Sequence, residues 1–204
     1  MLDRIRSWLR RPGQAEPVYV VSGLPRSGTS MMMRMLEAGG VAPFSDGERA
    51  ADIDNPEGYY ELERVKDLET APDKAWVRQA RGRALKVISF LLRHLPDEND
   101  YRIVYMRRNL DEVLKSQDKM LDRLGNAAPG ADPEAMKEAY RNDIVAARLH
   151  ARRRPNMELL EVHYAEAIAD PAAAARTVNA FLGGGLDEAK MAAAVSAQLY
   201  RNRA

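Results

Sequence analysis

Cysteine is absent from all 204 residues, which removes disulfides, thiolate nucleophiles and cysteine-ligated zinc from consideration. Histidine is nearly as scarce, and His94, His150 and His163 are too scattered for a His-rich metal site. No bound metal is expected. Long apolar runs are missing as well. Nothing approaches the length that spans a bilayer, and no stretch has the unbroken apolar core of a secretory signal, so a cytoplasmic protein is expected. An excess of either charge is also lacking. Lys and Arg number 31 against 30 Asp and Glu, a formal net charge of +1. No whole-protein field therefore recruits nucleic acid or another polyanion, and any anion site must be local.

What remains is 46% hydrophobic and 30% charged, enough for a single domain over residues 1–204 to bury a core. Residues 1–13 open with Leu2, Ile5, Trp8 and Leu9 at helical spacing among Arg4, Arg6, Arg10 and Arg11. That pattern predicts an amphipathic helix that packs its apolar face on the domain. Pro17 to Ser22 is a short β-branched run read as a buried strand, and Thr29 to Glu37 a methionine-rich helix closed by Gly39-Gly40. Residues 41–60 are turn-rich and predict a long loop, with helices expected at Glu61–Glu69 and Asp73–Gln79. Ala84–Ile88, Arg102–Met106 and Met157–Val162 are further strand patterns, each followed by helical pattern. Strands alternating with helices predict an α/β fold, three-layered and P-loop-like, with a central parallel sheet flanked by helices and ligands at the carboxyl ends of the strands. The segment Pro129–Pro133 is read as a loop between two helices.

Gly23-Leu-Pro-Arg-Ser-Gly-Thr-Ser30 has the glycine spacing of a Walker A loop, with threonine where that motif places its phosphate-binding lysine. A loop of this length before a helix turns successive backbone N–H groups and the helix N-terminus toward one anion, and Arg26 supplies the cation. The missing lysine, and the lack of a clear strand ending in a magnesium-binding aspartate, count against an ATP or GTP hydrolase.

Pro25-Arg-Ser-Gly-Thr-Ser30 resembles the 5′-phosphosulfate loop of the sulfotransferases, especially the tyrosylprotein and bacterial branch. Tyr101 to Arg108, followed by Asn109 to Ser116, is similar to that family's strand, arginine and serine eight residues on. The resemblance implies transfer of a sulfuryl group from 3′-phosphoadenosine 5′-phosphosulfate (PAPS) to a hydroxyl or amine acceptor, without metal. It implies that Pro25, Arg26, Ser27, Gly28, Thr29 and Ser30 hold the 5′ side of the donor and that Arg108 and Ser116 clamp its 3′-phosphate. An arginine at a strand end and a serine two turns into the next helix can converge on one phosphate. Val162-His-Tyr164 is similar to a late strand ending in a tyrosine near the nucleotide, and Leu199 to Arg203 to basic tails of bacterial members. Tyr164, Arg201 and Arg203, the last two in a basic tail over 197–204, are implied nucleotide contacts on those grounds. The glycine- and lysine-rich nucleotide loop of the cytosolic small-molecule branch is absent.

On the acceptor side, Lys86 falls where cytosolic sulfotransferases carry a lysine-threonine-histidine run, but Lys86-Val-Ile88 offers no histidine. The resemblance therefore points to Arg26, Lys86 and a carboxylate as the catalytic groups. Glu48 lies at nearly the spacing from the loop arginine, one residue further on, of the tyrosylprotein branch's catalytic glutamate. Glu61, in Asn55-Pro-Glu-Gly-Tyr-Tyr-Glu61, is its rival. The acceptor classes left open are small molecules, carbohydrates and peptides. Two other functions stay in competition: a P-loop nucleotide kinase or hydrolase, and a non-catalytic binder of 3′,5′-phosphorylated adenosine.

Overall fold

The computed structural model describes residues 15–46, 60–123 and 132–195. The 1–13 segment, Glu48 and the 197–204 tail with Arg201 and Arg203 lie outside the described residues, as does most of the Pro129–Pro133 loop.

Strands β1 (Val18–Gly23), β2 (Ala84–Ile88), β3 (Tyr101–Arg107) and β4 (Met157–His163) form one sheet in the order β2-β1-β3-β4, and every pair is parallel. The near-continuous apolar character of β1 and β3 suits a sheet covered on both sides. Alternation divides the strand residues between two cores. Val20, Leu85, Val87, Ile103 and Tyr105 face Trp76, Leu91 and Ile144. Val21, Ala84, Val104 and Met106 face Met32, Met35, Val178 and Met191. Helix α1 (Thr29–Ala38), α5 (Pro171–Leu182) and α6 (Glu188–Ala193) cover this second face, and α3 (Pro133–Arg153) covers the first. The expected three layers are present. α2 (Leu110–Arg123) follows β3, and the short α4 (Tyr164–Ala169) follows β4.

Strand order positions the site. From β1 the chain crosses through α1 to β2 on one side, whereas β3 lies on the other. The connections leaving β1 and β3 thus diverge, opening a crevice at their carboxyl ends, where Gly23 is in register with Met106.

Two expectations for local structure are corrected. The segments read as helices at Glu61–Glu69 and Asp73–Gln79 contain only short 3-10 helices, Glu63–Val65 and Ala75–Ala80. Pro72 breaks the chain between them and rules out one continuous helix. The helical pattern after β2 is likewise a 3-10 helix, Ser89–His94, stopped before Pro96. One feature was not anticipated. Residues 42–44 lie along the outer side of β2, with Ala84 donating its N–H to the Ala42 carbonyl and accepting from Phe44.

Candidate functional site

The turn after β1 is shaped by two left-handed residues. Gly28 (φ 103°) occupies the position before α1, and a Cβ there would collide with the ring of Tyr164. Only glycine fits. Arg26 adopts φ 65°, a conformation that costs an L-residue about 1–2 kcal/mol. Strain of this kind persists where the surroundings over-determine it and is concentrated at functional sites. Here the surroundings are α2 and the end of β3. Arg26 Nε donates to Ser116 Oγ at 3.0 Å, and the Arg26 carbonyl accepts from Arg108 Nη1 at 3.1 Å.

Helix termini elsewhere in the chain show what this one lacks. α3, α5 and α6 each begin behind an aspartate, Asp132, Asp170 and Asp187, whose side chain accepts a backbone N–H of the first turn. α1 begins behind Gly28 with no side-chain cap and no acidic residue in its first turn. Among the described residues no side chain caps its leading N–H groups, which together with the positive end of its dipole suit an anion. Thr29 and Ser30, both partly exposed, are its first two residues, and Pro25 sits partly exposed in the turn. Ser27 departs from the expected grouping. It is 1% exposed, its N–H donates to the Leu24 carbonyl, and its hydroxyl lies close over Gly23, against the strand.

Arg108 and Ser116 are brought together through Arg26. Arg108 also pairs with Glu112, Nε to Oε2 at 2.8 Å, with side chains only 7% and 5% exposed. The guanidinium lies over the Tyr164 ring, 4.5 Å from its centroid. Tyr164 therefore covers both the loop glycine and the strand-end arginine. Glu112 escaped the sequence reading, although its spacing of four from Arg108 was a usable signal.

A second group forms on the other side of α1. Alternation in β2 places Lys86 on the same face as Ala84, the face α1 covers. Lys86 Nζ reaches Ser30 Oγ at 3.3 Å and Glu61 Oε1 at 3.4 Å. The Glu61 carbonyl accepts from the Asp46 N–H at 3.4 Å, and Asp46 Oδ2 in turn accepts from the Glu63 N–H at 2.6 Å. Tyr60, at φ 53°, donates its hydroxyl to Glu37 Oε2 at 2.5 Å, and burial, reinforced by this bond, pushes the phenol well above its ordinary range. Arg34, also missed from sequence, is a buried cation in α1 whose guanidinium is held below its ordinary range by burial and supported by Tyr60 and Tyr164. An arginine within a buried methionine stripe was the overlooked clue.

A profile described as the sulfotransferase family matches residues 68–188, more than half of the chain. The chain belongs to the sulfotransferase family. The match covers Lys86, Arg108, Ser116 and Tyr164 but begins after the Gly23–Ser30 loop, so loop and family match are independent observations. Among solved structures, mouse sulfotransferase SULT7A1 complexed with PAP is 18% identical, with 89% of this chain and 63% of that one covered and a TM-score of 0.52. The sulfotransferase domain of the Synechococcus PCC 7002 olefin synthase is 20% identical, covering 94% and 82%, also at 0.52. Retinol dehydratase in complex with androsterone and inactive cofactor PAP is 18% identical, covering 89% and 64%, at 0.52. At these identities the likeness establishes the sulfotransferase fold. The chain spans under two thirds of the mouse protein and of retinol dehydratase. No curated protein sequence matches it.

Proposed function

We propose that this chain transfers a sulfuryl group from PAPS to a hydroxyl or amine acceptor. The observation that carries the reading is the convergence of Arg26, Ser116 and Arg108 beside the α1 terminus, which has no side-chain cap. The PAP in two structural neighbours supports the same donor class. The residues present suit a nucleotide carrying phosphates at both ends. The α1 terminus with Thr29 and Ser30 would hold the 5′ side, and Arg108 with Ser116 the 3′-phosphate. When bound, the donor supplies a sulfuryl group attached to a phosphate leaving group.

Arg26 stabilises the negative charge that grows on the bridging oxygen as its bond to sulfur breaks. A preorganised cation there contributes about 2.7–4 kcal/mol by analogy with oxyanion donors. Glu61 accepts the proton of the acceptor as the new oxygen–sulfur or nitrogen–sulfur bond forms, and Lys86 holds that carboxylate beside Ser30. Glu48 is the alternative base. A small molecule, a carbohydrate or a peptide could bring the accepting group.

Isothermal calorimetry tests the donor class. 3′-Phosphoadenosine 5′-phosphate (PAP) should bind far more tightly than adenosine 5′-phosphate, and Arg108→Ala should erase the difference. Equal affinities in the native protein would reject a sulfuryl-donor site. Tight ATP binding that requires magnesium would favour the kinase reading instead.

A further inference from the structure

We infer that Glu112 is a positioning residue that limits how tightly Arg108 grips the 3′-phosphate, so that the spent nucleotide can leave. The inference rests on the donor reading above. Arg108 and Glu112 form a buried ion pair, 2.8 Å long, inside the group that would clamp an anion. Such a carboxylate does two things to an arriving phosphate. It occupies the Nε edge of the guanidinium and orients what remains, and its own charge opposes the dianion in surroundings where water screens little.

The chemistry gives this opposition a use. Sulfuryl transfer changes the 5′ end of the donor and leaves its 3′-phosphate untouched, so every contact to that phosphate is as strong in the product complex as in the substrate complex. Binding of this uniform kind does not accelerate the chemical step, and beyond the need to capture donor it only slows departure. Arg108 is additionally anchored by the Arg26 carbonyl and the Tyr164 ring. Glu112 is therefore not needed merely to fix the arginine in place. Its distinct contribution is negative charge.

Glu112→Gln removes that charge and keeps an oxygen that can accept from Nε. The ligand-free variant should melt at a lower temperature, because a buried guanidinium then lacks its counter-ion. PAP should bind on the order of tenfold more tightly, chiefly through slower dissociation in stopped-flow displacement. Adenosine 5′-phosphate, with no 3′-phosphate, should show no gain. A structural role alone would lower the melting temperature without this ligand-selective tightening. If the glutamine variant does not fold, Glu112→Asp, which keeps the charge and draws it back by one methylene, should give a smaller gain of the same selectivity. Unchanged or weaker PAP binding, or equal gains for both nucleotides, would overturn the inference while leaving the donor reading intact. Failure of the native protein to bind PAP would overturn both.

Discussion

Arg26 Nε donates to the hydroxyl of Ser116 across 3.0 Å and 90 positions of sequence. The bond ties the loop after β1 to the second turn of α2 and holds a strained backbone in place. Arg26→Ala should depress turnover more than it weakens PAP binding, because its charge counts most as the bridging bond breaks. Ser116→Ala should loosen the same guanidinium and weaken binding of nucleotides that carry a 3′-phosphate. Proportional losses of kcat and PAP affinity in the Arg26 variant would remove its leaving-group role.

The covering of Gly28 by Tyr164 gives a stability test. Gly28→Ala places a Cβ against the ring and strains a backbone at φ 103°, which should cost about 1–3 kcal/mol. Tyr164→Ala removes the obstacle. The double variant should therefore lose less than the sum of the two single ones in denaturant titrations. Strict additivity would mean that the ring and the glycine do not meet.

The acceptor base is decided by parallel amide variants. Glu61→Gln should keep PAP affinity and lower turnover by roughly 10²–10⁴-fold, the usual range for a general base. Glu48→Gln should leave turnover near the native level. A collapse in the Glu48 variant with a near-native Glu61 variant reverses the assignment, and little effect from both excludes a carboxylate base at either position.

Burial holds His150 below its ordinary value of 6.5, helped by the charges of Arg93 and His94. In the unfolded chain this imidazole takes up a proton near pH 6.5, while the folded protein resists it. Its contribution to stability is complete above the unfolded value and fades as pH falls through the lower, folded one. His150→Gln should flatten the fall in melting temperature on acidification from pH 7. A slope identical to that of the native protein would place the acid sensitivity elsewhere.

The parts of the molecule legible in sequence were those with a local signature. Short apolar runs mark four strands, and the glycines at positions 23 and 28 mark a turn whose close approaches the structure explains. Arg108 and Ser116 stand out only through the resemblance to a family motif that runs along one strand and the helix after it. The turn-rich stretch between α1 and β2 hid its hydrogen bonding, because the contact of residues 42–44 with Ala84 joins segments about 40 positions apart. Glu112 and Arg34 were passed over for a related reason. A charged residue in a helix is read as solvent-facing by default, and only packing against Arg108, Tyr60 or Tyr164 reveals its burial.

Asp46 and the Glu61–Glu63 segment are stapled by two hydrogen bonds, so the stretch 47–60 departs from and returns to one point beside Lys86. The entropy of closing that excursion is largely independent of how long it is, since each doubling of length adds only about 0.6 kcal/mol. The staple thus sets the place of Glu61 without reference to the length of chain before it: an insertion within 47–59 should leave the Glu61 carboxylate against Lys86, so that the position of this group is a property of Asp46 and β2.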